Sequence, residues 1–275
     1  MKVPPEELKG DVRRVVAVIP ARMGSSRFPG KPLAPLLGRP LIEHVVRRAS
    51  MCEQLEAVYV ATCDEEIRAA VERFGGEVVM TSAAHERASD RVAEAAESFE
   101  AEVVVMIQGD EPLVTPNMIA AAVAPLFADA SVSCVNLARR IERREDYLDR
   151  NTIKVLMNLK GDAVYFSRAP VPGGAFACDG DDASPPVFKQ VCVIPFRRDF
   201  LREFAHLPQT PLERAESIDM LRAIEHGRPV RLVEIEEETH AVDTPEDLRL
   251  VEALLKDDPL VRLYDGAGLP RGGRV

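Results

Sequence analysis

The stretch Val15-Val16-Ala17-Val18-Ile19 runs without a polar residue into Pro20-Ala21-Arg22-Met23-Gly24-Ser25-Ser26-Arg27-Phe28-Pro29-Gly30-Lys31-Pro32. The apolar half reads as a strand covered on both faces, which is the habit of parallel sheets. A loop directly after the first strand of an α/β sheet lies at the carboxyl edge, where ligands bind. This loop offers Arg22, Arg27 and Lys31 together with two serines and two glycines. Arginine presents a planar fork to phosphate oxygens, lysine a point charge, and the backbone N–H groups add donors. The wording is neither G-x-x-x-x-G-K-[ST] nor G-x-G-x-x-G, so neither the common phosphate loop nor a dinucleotide fold is indicated. The alternative reading of the loop by itself is a solvated basic turn.

Outward from this loop, apolar runs alternate with amphipathic stretches. The pattern predicts helices over 41–51, 64–74, 89–99 and 116–127, and strands over 57–61, 78–80 and 103–107, which argues for an α/β fold around a mainly parallel sheet. The second half is less regular. Strands are expected over 131–137, 152–157, 163–166, 187–194 and 230–235, and a helix over 211–225. Residues 169–186 are rich in Pro, Gly and Asp and read as a loop. Asp243-Thr244-Pro245-Glu246-Asp247 opens a further helix, with a capping residue, an early proline and acids in the first turn. Beyond residue 257 the periodicity fades, and a frayed tail is expected. The simplest division is a segment 1–13, one domain over 14–256 and a tail over 257–275.

Composition narrows the class. The chain has 275 residues, 46% apolar and 29% charged, enough to bury a sizeable core in a soluble protein. No run approaches the ~18 apolar residues that cross a membrane, and the first residues lack the apolar heart of a signal peptide. The expected location is the cytoplasm. Five cysteines without C-x-x-C spacing argue against a disulfide framework or a zinc site. A net charge of -10 without a basic stripe argues against nucleic-acid binding. A small anionic ligand needs only local positive potential, which the loop supplies.

A second chemical signal follows the strand 103–107, which ends in Gln108-Gly109-Asp110-Glu111-Pro112. It places a carboxylate at the same sheet edge as the loop. Mg²⁺ takes one or two carboxylates plus phosphate oxygens and water. Asp243, after the last strand, is the candidate for the second. The alternatives are a turn residue for Asp110 and a helix N-cap for Asp243.

These motifs together resemble the bacterial cytidylyltransferases that activate 3-deoxy-manno-octulosonate (KDO), whose opening reads roughly I-P-A-R-x-x-S-x-R-x-P-G-K-P. Every fixed position is met, from Ile19 to Pro32, and Q-G-D-E-P and V-D-T-P-E-D follow in the same order. Val60-Ala61-Thr62-Cys63-Asp64 is similar to a segment bordering the family's cytosine pocket, with Cys63 in place of an Asp. Met80-Thr81-Ser82-Ala83-Ala84-His85-Glu86-Arg87-Ala88-Ser89-Asp90-Arg91 is similar to M-T-S-x-x-H-x-S-G-T-D-R, with Arg87 and Ala88 in place of Ser and Gly. Tyr165-Phe166-Ser167-Arg168 matches Y-F-S-R. The resemblance spans about residues 14–255.

It implies a three-layer, mixed but mainly parallel sheet flanked by helices, like the nucleotide-diphospho-sugar transferases, and a homodimer. It implies CTP and an acidic sugar as ligands, with Mg²⁺ held by Asp110 and Asp243. Arg22, Lys31, Asp110 and Asp243 are the expected catalytic residues. Ala21, Arg22, Ser25, Lys31, Ala61, Thr62, Arg91 and Gln108 are expected at the nucleotide. Arg27, Gln108, Arg168, Gln190, Glu213, Glu216 and Asp219 are expected at the acceptor. His85 is given no acid–base role.

The sugar side departs from the family pattern. Gln190 stands for His, Ile194 and Phe196 for Tyr, Asp219 for Glu and Met220 for Gln. Apolar replacements remove hydroxyl-reading hydrogen bonds, which raises the expectation of a modified acceptor. Two further alternatives are a different acidic acceptor, such as a phosphonate, and a catalytically silent nucleotide binder.

Overall fold

The structure, a computed structural model, describes residues 14–24, 27–176, 186–265 and 269. In chain order its first half contains β1 (Val15–Pro20), a small hairpin of β2 (Pro35–Leu36) and β3 (Arg39–Pro40), α1 (Leu41–Ala49), β4 (Ala57–Thr62), α2 (Glu65–Arg73), β5 (Glu77–Met80), α3 (Ala88–Ala95), β6 (Val103–Ile107) and α4 (Pro116–Ala128). The second half contains β7 (Val135–Arg140), α5 (Arg144–Leu148), β8 (Lys154–Met157), β9 (Ala163–Ser167), β10 (Phe188–Val191), β11 (Val193–Arg197), α6 (Arg198–His206), α7 (Pro211–Glu216), α8 (Met220–Glu225), β12 (Arg231–Ile235), α9 (Pro245–Lys256) and α10 (Pro259–Tyr264).

All six residues of β1 and all five of β6 are buried, because helices cover both faces of their sheet. Successive side chains alternate faces. Ala17 and Ile19 pack with Ile42 and Val45 of α1 and Met118 of α4, while Val18 packs with Val92 of α3 and Phe200 and Phe204 of α6. The result is the expected three-layer α/β arrangement. The strand order is β11-β6-β1-β4-β5, with β6, β1, β4 and β5 parallel and β11 antiparallel at the edge. The chain moves from β1 to β4 and β5, then returns to place β6 on the other side of β1. That reversal opens a crevice outside the carboxyl ends of β1 and β6.

A second five-stranded sheet, ordered β12-β7-β10-β8-β9, is parallel only between β12 and β7. It meets the first through the bridge Cys134–Phe196 and the bond from Arg197 N to Ser133 O.

Four local expectations are corrected. The run 187–194 is two strands, because the chain crosses between sheets at Cys192, and an apolar pattern suits both sheets equally. The run 131–137 yields a strand only from Val135 onward, extending to Arg140. The helix over 211–225 is broken at Ser217, which adopts the left-handed conformation at φ 56°, ψ 48°. The tail beyond residue 257 contains α10, held by polar contacts that periodicity cannot reveal. Arg48 donates from Nη1 to Asp258 at 2.7 Å, and the Tyr264 hydroxyl lies 2.8 Å from His44 Nδ1.

Candidate active site

The loop after β1 is built from its ends inward. Ala21 N donates to Ala61 O, and Met23 N to the Asp64 carboxylate at 2.8 Å. Gly30 N closes back onto Met23 O, and Gly30 at φ 74° starts a one-turn 3₁₀ helix, Lys31–Leu33. A left-handed start suits glycine. This turn aims Lys31 into the crevice. Ala61 and Thr62 are fully buried and support the loop from below. They are not among the residues lining the crevice.

The second wall follows β6. A Cβ on Gly109 would sit 2.9 Å from Pro20 O and 3.1 Å from Ile42 Cδ1, so only glycine lets this turn pass so close to the end of β1. The third wall precedes α9. Val242 N donates to Asp110 O at 2.9 Å, tying the two acidic segments together. Thr244, not Asp243, caps α9, in a capping box with Asp247. Asp243 is therefore free to turn toward the crevice, and the helix-cap alternative for it falls away.

At the meeting point Lys31 Nζ donates to Asp110 Oδ2 at 2.6 Å and to Asp243 Oδ1 at 3.3 Å. The partners lie 79 and 212 positions from Lys31 in sequence. Burial pulls the lysine pKa down, but the two carboxylates more than offset it, so the ammonium is held charged. Arg27 Nη2 reaches Asp243 at 3.1 Å, and its Nη1 reaches Asn151 Oδ1. Behind Asp110, burial first and Asp110 second push the Glu111 carboxyl up to about 8, so Glu111 adds no full negative charge at neutral pH.

The crevice encloses about 290 Å³ and is lined by Ala21, Arg22, Arg27, Lys31, Arg91, Gln108, Asp110 and Asp243 among the expected residues. Arg91 is pinned from behind by Thr81 Oγ1 and Ser82 O. Gln108 is fixed through its backbone N–H on Cys192 O. His85 also lines the crevice, with its Nε2 against Glu94. Ser25 lies outside the described residues.

The expected acceptor residues fare unevenly. Glu213 does not reach the crevice. It is wholly buried, and both of its oxygens accept from Arg222, at 2.9 and 2.7 Å. Glu216 accepts from Tyr165, Ser167 and Arg168 N, which fastens α7 to the end of β9. Arg168 spends Nε on Glu216 O. Gln190 donates to Asn136 Oδ1 at 2.7 Å and does not line the crevice. Asp219 accepts from Ser89 Oγ at 2.7 Å, next to the crevice wall. Ile194 and Met220 are 2% and 1% exposed in the core, so neither is a crevice position left without its polar group.

Three contributors were given no site role in the reading of the sequence, although Asp64 and Arg87 fall in segments it singled out. Asn151 steadies Arg27, Asp64 holds the loop instead of capping α2, and Arg87 lines the crevice. Each is visible only once distant segments meet.

The comparisons with known proteins fit this geometry. The family model described as Cytidylyltransferase matches residues 16–242. The 3-deoxy-manno-octulosonate cytidylyltransferase of Geobacter metallireducens is 45% identical over 250 residues, covering 88% of this chain and 98% of that protein. A solved structure of CMP:2-keto-3-deoxy-manno-octonic acid synthetase complexed with CTP superposes with a TM-score of 0.80 at 36% identity, over 88% of this chain and 98% of that one. A 4-diphosphocytidyl-2C-methyl-D-erythritol synthase from Anaerococcus prevotii shares the fold, with a TM-score of 0.60 at 14% identity over 90% of this chain and all of that one. On this evidence the chain belongs to the cytidylyltransferase family.

Proposed function

We propose that this protein transfers CMP from CTP to the anomeric hydroxyl of 3-deoxy-manno-octulosonate, releasing pyrophosphate. The observation that carries the reading is the convergence of Lys31, Asp110 and Asp243 at one end of a crevice rimmed by Arg22 and Arg27. The named relatives, matched over nearly their whole length, support the same acceptor. The buried positions of Ile194 and Met220 and the bonded amide of Gln190 weaken the case for a modified acceptor, since these residues do not line the crevice.

In this reading Arg22 and Lys31 neutralise the triphosphate, and backbone groups of the loop orient it. Gln108 would orient the acceptor, and Arg27 would bridge the triphosphate and the acceptor. The hydroxyl attacks the α-phosphorus in line, and no covalent enzyme intermediate is needed. Such a transfer rests on positioning and charge stabilisation.

The residues fit Mg²⁺. Two carboxylates from different loops face one cation already, the Lys31 ammonium. Two carboxylates suit a hard ion that keeps water and phosphate oxygens as its other ligands. Asp110 and Asp243 would hold it, and when bound it would stabilise charge on the phosphates and acidify the attacking hydroxyl.

The unit that does this is residues 14–256, a reading supported by the family match over 16–242. The family resemblance also implies a homodimer, which sedimentation of the purified chain tests. For the activity, the assay is pyrophosphate release with KDO and each of CTP, UTP, ATP and GTP, with and without EDTA. Release with CTP alone, abolished by EDTA and restored by Mg²⁺, is the expected result. Release with no nucleotide, or without a divalent ion, overturns the proposal.

A further inference from the structure

The crevice carries more cations than one nucleotide needs, and they are not equally engaged. Lys31 and Arg27 are bonded to Asp110 and Asp243, and Arg91 to Thr81 and Ser82. Arg22 belongs to the loop that faces the triphosphate. The remaining cation of the lining is Arg87, which lies directly before α3 on the wall that meets α7 and α8. Its one side-chain hydrogen bond among the described residues runs from Nη1 to Ser217 Oγ at 2.7 Å. Its Nε is buried and has no hydrogen-bond partner. It points between Glu213 Oε1 at 3.9 Å and Asp219 Oδ1 at 3.8 Å, beyond bonding distance.

Both carboxylates have their bonds elsewhere. Glu213 is paired with Arg222, which also reaches Asp90, and Asp219 accepts from Ser89. They hold the guanidinium in place without taking its donors. Arg87 thus lines the crevice with Nη1 braced by the left-handed corner at Ser217, and its Nη2 carries no hydrogen bond among the described residues. A guanidinium in that state is suited to a planar carboxylate, which it can bind with two parallel bonds.

We propose that Arg87 is the specificity-determining contact for the acceptor's carboxylate, and that Ser217 and Asp219 position it. The inference rests on the reading that the acceptor is an acidic sugar. It divides the crevice by charge. Arg22 and Lys31 serve the triphosphate, and Arg87 serves the acceptor's anion.

The test is steady-state pyrophosphate release by the wild type, Arg87→Ser, Arg87→Lys and Ser217→Ala, with CTP and KDO varied separately. The expected result is a KM for KDO raised by at least about tenfold in Arg87→Ser, since a charge-assisted pair is lost, with the KM for CTP within about twofold of wild type. Arg87→Lys recovers part of the loss, because a point charge replaces the fork. Ser217→Ala shows a smaller rise in the same KM. Parallel changes in both KM values, or an unchanged KM for KDO, overturn the proposal while leaving the activity assignment standing. A wild type that does not use KDO overturns the assignment and this inference together. If Arg87→Ser fails to fold, as read from its thermal midpoint, Arg87→Lys and Ser217→Ala decide the matter through the same split.

Discussion

The two sides of the crevice are built on different principles. The proposed nucleotide side hangs on β1 and β6, central strands whose residues are all buried, and its polar groups sit in loops at their ends. The proposed acceptor side hangs on a mixed sheet and on the broken helix pair α7 and α8, and its polar groups largely bond one another. Glu213 with Arg222, Glu216 with Ser167, and Gln190 with Asn136 are internal pairs. On the first side, charged residues line the crevice and the scaffold is apolar. On the second, charged residues are part of the scaffold.

That contrast is open to direct attack. Asp110→Asn should reduce kcat by about 10³-fold, because the proposed Mg²⁺ site loses one of its two carboxylates and with it the charge stabilisation the ion would supply, while the thermal midpoint stays near the wild-type value. Loss of the fold in that variant would make Asp110 part of the scaffold and break the contrast. Glu213→Ala should do the reverse. It leaves the Arg222 guanidinium buried without its main partner and should cost about 3–5 kcal/mol of stability, read by denaturant unfolding. A stable Glu213→Ala protein with a raised KM for KDO would return Glu213 to the acceptor site.

Gly109→Ala lies between these. Its added methyl presses on Pro20 O, so β1 and the turn must part by a few tenths of an ångström, and kcat should fall about tenfold through misplacement of Asp110. The smallest effect is expected for Gln190→Ala. With its amide turned to Asn136, the KM for KDO should stay within about twofold, below ~0.5 kcal/mol. A large rise would sharpen the comparison by adding one acceptor contact to the second sheet.

The same contrast explains what the sequence made legible. A strand buried on both faces is a continuous apolar run, so Val15–Pro20 and Val103–Ile107 stand out, and whatever follows them must lie at the sheet edge. Arg22, Lys31 and Asp110 could therefore be placed by counting from strand ends. Asp243 needed one more fact, that Thr244 takes over the cap. On the other side, apolar spacing runs through the break at Ser217 and through the crossing at Cys192, since both flanks of each are covered. Nothing in the spacing tells a buried glutamate bound to Arg222 from one that reads a sugar. Arg87 shows as a departure from the family wording, but its orientation depends on Ser217, 130 positions away.

The crossing at Cys192 has one more consequence. Val191 pairs with Leu137 in the second sheet, and Val193 pairs with Ile107 in the first, so a single residue separates two ladders. Its carbonyl also receives the N–H of Gln108. Side chains on a strand change face with every step. An inserted or deleted residue here would turn either β10 or β11 inside out and pull the anchor from Gln108, whereas an exchange of one apolar residue for another would not. Across lineages, this segment should vary in letters but keep its length.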